Sequence, residues 1–154
     1  EFDESAQHII NHVTKGVELA KKYNLPESII NFIRTHHGKS KVKYFYNSFK
    51  NKYPDREIDE SLFTYDGPDP VSRECAVVMM ADGVEAASRA LEIKDEENLT
   101  KLVNNLIDGL LQDGRFSNAD LTFKDISTVK RVFTEMLVNV YHARIAYPKL
   151  QTKA

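Results

Sequence analysis

The sequence predicts an all-α fold, on three observations. Apolar residues recur at helical spacing through nearly all of the 154 residues. No segment shows the strict two-residue alternation of a half-buried strand. The breaks between periodic stretches carry helix start and stop residues. In the first stretch, "SAQHIINHVTKGVELAKKY", Ala6, Ile9, Ile10, Val13, Val17 and Ala20 share one face. "NLP" ends it, and Pro26 suits the first turn of a second helix, since a proline lacks only an N–H that has no helical partner there. That helix carries Ile29, Ile30, Phe32 and Ile33, with Gly38 as its stop. "KVKYFYNSFKNKY" reads as a third helix with Val42, Phe45 and Phe49 inward.

Residues 54–70, "PDREIDESLFTYDGPDP", hold three prolines and one glycine and read as a long loop. Loops beyond about 12–15 residues in a compact domain are often functional. A fourth helix follows in "VSRECAVVMMADGVEAASRALE", with Val71, Cys75, Val78, Met79, Ala86 and Ala90 as its inward stripe. A fifth has Leu99, Leu102, Val103, Leu106 and Leu110 on one side. The last, "LTFKDISTVKRVFTEMLVNVYHARIAYP", opens with Thr122 and Asp125 at capping-box spacing. Its apolar face is Ile126, Val129, Phe133, Met136, Leu137 and Val140. Residues 1–154 are expected to form a single helical domain.

Composition narrows the function. A hydrophobic share of 42% can build a real core, and a net charge of −2 gives no basic excess for a nucleic-acid polymer. The single cysteine, Cys75, rules out an internal disulfide and suits a reducing compartment. No apolar run approaches the roughly 18 residues of a membrane span. "EFDESAQ" has no signal-peptide layout and opens almost at once into a helix, which reads as a chain cut from a longer one. Glycine-rich phosphate loops and the GxSxG nucleophile motif do not occur.

Histidines and one aspartate stand out. His36 follows Ile29 by seven residues and His37 follows Ile30 by seven, so both continue the inward side of the second helix. Buried rings need polar partners, and either core hydrogen bonds or a metal would supply them. Asp82 falls inside the apolar stripe of the fourth helix, where an unpaired carboxylate is costly. A metal, a histidine or an ion pair with Arg89 are the alternatives. His12 lies at the edge of the first apolar face beside Gly16, which permits close approach of another helix. His8 is four residues earlier but faces further toward solvent, and His142 lies opposite its helix's apolar stripe. Cys75 reads as packing. "YFYNSF" could stack nucleobases or pack as core, and Lys39, Lys41 and Lys43 could meet phosphate oxygens or simply be solvated.

His12, the His36–His37 pair and Asp82 resemble the later part of the H…HD…H…HH…D signature of HD-domain metal-dependent phosphohydrolases. "HVTKGVELAKKYNLP", "HHGKSKVKYFY", "FTYDGPDPVSRECAVVMMADGVEAASRALE", "LTFKDI" and "YHARIAYP" together resemble the C-terminal cytoplasmic HD domain of seven-transmembrane HD proteins of the PgpH type. The resemblance implies a bacterial cyclic di-AMP phosphodiesterase that produces pApA at a pair of iron or manganese ions. It implies His12, His36, His37 and Asp82 as metal ligands, with Lys39 and Tyr44 on the substrate side by position. A cytoplasmic domain of a membrane-anchored parent is implied, without membrane contact of its own. No His-Asp doublet occurs in the sequence. The expectation is therefore an HD-like helical bundle shortened at its N-terminus, with an incomplete metal site, little activity alone and an apolar patch that favours self-association into a homo-oligomer. The alternative is a helical domain that binds a nucleotide or a signalling partner without turnover.

Overall fold

The computed structural model describes residues 2–142. Six helices follow in order: α1 (Phe2–Lys22), α2 (Glu27–Thr35), α3 (Lys43–Lys52), α4 (Arg73–Ala90), α5 (Glu96–Gln112) and α6 (Phe123–His142). A 3-10 turn, Glu60–Phe63, lies inside the long 54–70 segment. The all-α expectation holds: among the described residues β pairing is limited to one isolated antiparallel bridge, Lys41 to Thr64. "HARIAYP", the end of the last periodic stretch, falls from residue 143 onward outside the described residues.

Local signals set the helix ends. Ser72, Asp95 and Asp59 accept from the backbone N–H groups of Cys75, Asn98 and Ser61, filling donors that a helix start leaves unpaired. Thr122 and Asp125 form the expected reciprocal box, with Asp125 accepting from Thr122 N–H at 2.9 Å and Thr122 Oγ1 accepting from Asp125 N–H at 3.1 Å. Gly38 ends α2 with φ +50°, a left-handed turn that glycine adopts without penalty.

α4, α5 and α6 enclose the main core. Met80, Val103 and Ile107 are fully buried there, with Phe116 and Ile126 closing its end. Each such side chain contributes about 1.5–3 kcal/mol by leaving water. α1 packs across α2, α3 and the 3-10 turn. Gly16 makes the closest approach: a Cβ there would lie 2.9 Å from Ile33 Cγ2, so glycine lets α2 settle on α1.

Stripe assignments on four helices need correction, on α1 and α2 because Ile9 and Ile29 are exposed rather than inward. On α4 the buried residues are Cys75, Ala76, Met79, Met80, Val84 and Ser88. Val71 lies before the helix and is exposed, as are Ala86 and Ala90. Asp82 is exposed too, with 46% of its side chain accessible. The reason is that α4 is central: it meets α2, α5 and α6, and three neighbours do not leave a single apolar stripe. On α6, Met136 and Val140 stand exposed beside an apolar groove shared with α4.

Candidate metal centre

Three elements bring the histidines together. His12 projects from the middle of α1, and His36 and His37 sit where α2 gives way to the Gly38 turn. One nitrogen from each of the three lies within 4.8 Å of the others. The pair His12–His36 is the most informative. Its Nε2 atoms are 3.1 Å apart. Each Nδ1 faces a backbone carbonyl, Ile9 O at 2.5 Å for His12 and Ile33 O at 2.7 Å for His36. A carbonyl only accepts, so each Nδ1 must carry the proton. In two neutral rings both Nε2 atoms then present lone pairs to the same point. That contact is repulsive unless a proton or a cation sits between them. A ring nitrogen anchored on a carbonyl with the other left free is the usual arrangement of a metal-bound histidine. Two donors on one ion, with bonds of about 2.1 Å at near-tetrahedral or octahedral angles, lie about 3.0–3.4 Å apart. The observed spacing fits.

His37, like His36, is half-buried. Its ring stacks on Tyr65, with centroids 4.3 Å apart and planes 20° from parallel. Burial first, then the neighbouring His36 and His12, push its pKa down to about 3. It is therefore a neutral ring at pH 7, as a ligand must be. Asp82 Oδ2 lies 3.8 Å from His37 Nδ1. That is too long for a hydrogen bond but close enough for both to serve one cation. Tyr65 is held protonated: burial and then the Asp82 charge raise its pKa to about 12.

The remaining candidates fall elsewhere. Asp82 does not pair with Arg89, which is engaged by Glu85 at 2.6 Å. His8 is exposed on α1 and outside the cluster, and His142 is exposed at the end of α6. Cys75 is buried packing. Lys41 is tied to Glu60 at 2.6 Å. Lys39 is exposed, and its backbone N–H donates to Asp69. Tyr44 is 75% exposed, with its ring against Phe45. Sequence reasoning missed Tyr65, Asp69 and Arg115. All three lie in loops, where no periodicity marks a residue as inward. The prolines around Asp69 were the one available hint.

An all-α scaffold holding a histidine cluster that can take a cation defines a class, the helical metal-site proteins. Comparison with known proteins narrows it. The HD domain pattern matches residues 1–87, which include all four candidate ligands. The cyclic-di-AMP phosphodiesterase PgpH of Bacillus subtilis is 39% identical over 145 residues, covering 94% of this chain and 20% of the relative. PgpH of Listeria monocytogenes is 32% identical over 146 residues, covering 95% of this chain and 20% of the relative. The chain thus spans about a fifth of the length of these curated relatives. The crystal structure of the L. monocytogenes PgpH HD domain in complex with cyclic-di-AMP superposes with a TM-score of 0.87 at 31% identity, covering 96% of this chain and 68% of that one. This chain belongs to the HD domain family. No helix among the described residues is long and apolar enough to cross a membrane.

Proposed function

We propose that this chain is part of a metal-dependent phosphodiesterase that hydrolyses cyclic di-AMP to pApA, and that His12, His36, His37 and Asp82 are metal ligands. The observation that carries the reading is the convergence of two Nε2 atoms at 3.1 Å, each ring fixed through Nδ1 on a backbone carbonyl. The likeness to an HD domain bound to cyclic-di-AMP supports the substrate. Mixed imidazole and carboxylate donors suit iron or manganese. When bound, such ions supply charge neutralisation at a phosphate and an acidified water.

The chain's own residues do the rest. His12 and His36 hold their Nε2 atoms forward without needing to reorganise. Tyr65 keeps the His37 ring in one orientation by stacking. Lys39, two residues after His37, is read as a contact for a phosphate oxygen, and the exposed Tyr44 ring as one for a base. Four side chains leave positions on two six-coordinate ions for water, phosphate oxygens or further protein donors. Residues 1–154 are read as one HD-type unit whose 54–70 loop packs beside the cluster. The parent protein is read as membrane-anchored with this unit on the cytoplasmic side. Self-association is read from the exposed Met136 and Val140.

The test is pApA release from cyclic di-AMP with Mn²⁺ or Fe²⁺, by the protein encoded in the whole reading frame. Release that disappears in His36→Ala is the expected result. Absence of pApA, with turnover of another cyclic dinucleotide, rejects the substrate. A second reading is a module that binds the nucleotide without turnover. Binding by calorimetry with no product would select it.

A further inference from the structure

We propose that Asp69 and Arg115 are positioning residues for the histidine cluster, holding the turn that carries His36 and His37. The inference rests on the metal-centre reading above. α2 ends at Thr35, so both histidines sit where helical hydrogen bonding is running out. Something else must fix the turn if their rings are to hold a ligand geometry, which needs placement within about 0.5 Å.

Asp69 supplies it. Its Oδ1 accepts from the Lys39 backbone N–H at 2.9 Å, two residues beyond His37, and from Arg115 Nη1 at 3.0 Å. The space it uses exists because residue 38 is glycine: a Cβ on Gly38 would lie 2.4 Å from Asp69 Oδ1. The loop side is stiff, since Pro68 and Pro70 flank Asp69 and each fixes its own φ. The Arg115 side is stiff as well. Its Nε and Nη2 donate to the Asp113 carbonyl at 3.1 and 2.8 Å, at the C-terminal end of α5. One guanidinium therefore ties the end of α5 to the histidine turn.

This pair differs in kind from the exposed ion pairs on α5 and α6. Only 17% of the Arg115 side chain and 14% of the Asp69 side chain are accessible, against 65% and 77% for Lys101–Glu97. Exposed pairs contribute little. A desolvated carboxylate that loses its partner must find another or move. Loss of Arg115 is thus transmitted to Lys39 and from there to His37. Arg115 lies outside residues 1–87, so the clamp joins the part of the chain that matches the HD pattern to the part that does not.

The experiment compares the whole chain with Arg115→Ala, Arg115→Lys and Asp69→Asn. Mn²⁺ affinity is measured by calorimetry, and the His37 ring protons by NMR of the metal-free protein, where stacking on Tyr65 shifts them. Arg115→Ala is expected to weaken Mn²⁺ about tenfold, at the low end of what outer-shell losses produce, and to move the His37 ring signals. Arg115→Lys should restore most of both. Asp69→Asn keeps an acceptor for Lys39 N–H but loses the charge that Arg115 needs, and should fall between. A lowered melting temperature with affinity unchanged within twofold and His37 signals unmoved overturns the proposal. If the unmutated chain binds no Mn²⁺, its four side chains do not hold the ion without further donors. The ring signals then decide the clamp by themselves: moved in Arg115→Ala and restored in Arg115→Lys upholds it, unmoved overturns it. If Arg115→Ala does not fold, Arg115→Lys and Asp69→Asn carry the same comparison.

Discussion

The α4–α6 core and the histidine turn are built on opposite principles. In the core, Leu99, Val103, Ile107 and Met80 are fully buried and make no polar demands. At the turn, His12 is exposed, His36 and His37 are half-buried, and α3 alongside has no fully buried residue. The core derives its stability from excluded water. The turn relies on directional contacts: two carbonyls, one stack and one desolvated ion pair. The core should therefore govern whether the chain folds, and the turn what it can bind. α4 serves both, with Met80 on one side and Asp82 on the other.

The largest expected effect tests the core half of that contrast. Ile107→Ala removes fully buried atoms and should cost about 2–5 kcal/mol by urea unfolding. Mn²⁺ affinity of the folded variant should stay within about twofold. If affinity falls with stability, the two regions are not separable. His36→Ala is the converse. It removes one of the two converging Nε2 atoms and should weaken Mn²⁺ by about a hundredfold, or ~2.7 kcal/mol. Its unfolding free energy should change by no more than about 1 kcal/mol, because the ring is not part of the core. Asp82→Asn is milder. An exposed carboxylate 3.8 Å from His37 should contribute about tenfold to Mn²⁺ binding, measured by calorimetry, with stability changed by less than about 0.5 kcal/mol.

Much of this contrast was legible in the residues. The seven-residue distance from the buried Ile30 places His37 inward, whereas Ile29, the reference for His36, is itself exposed; Gly16 announces the close contact that brings α2 onto α1. The pairing of His12 with the doublet followed from those two facts and the family pattern. The stripe argument for Asp82 does not hold. It puts the residue inside an apolar stripe that α4 does not have, and Asp82 stands exposed at the rim of the cluster. A helix with three neighbours spreads its apolar residues around its axis, and a one-face reading then misplaces whatever lies between them. Tyr65, Asp69 and Arg115 were invisible because loop residues acquire neighbours through tertiary folding alone. Gly38 was read as a helix stop, which it is, but its second role as a space for Asp69 depends on a residue 31 positions away.

The smallest effect at neutral pH belongs to His37, and it separates the two regions by their response to acid. Burial, with His36 and His12 beside it, lowers the folded-state pKa of His37 to about 3, against 6.5 for an ordinary histidine. Between those values the unfolded chain takes up a proton that the folded chain refuses. Stability attributable to His37 is therefore fully present above about pH 6.5 and is lost as pH falls toward 3. His37→Gln cannot titrate there. Its unfolding free energy in the metal-free chain, followed by urea denaturation from pH 7.5 to 4.5, should decline less steeply than that of the unmutated protein. The slope is the readout, since losing the Tyr65 stack lowers the whole curve by a constant. Ile107→Ala, by contrast, should shift the curve down and keep the original slope. Parallel curves for His37→Gln and the unmutated protein would mean that the ring is hydrated enough to protonate freely, and that the turn is less closed than its stacking on Tyr65 implies.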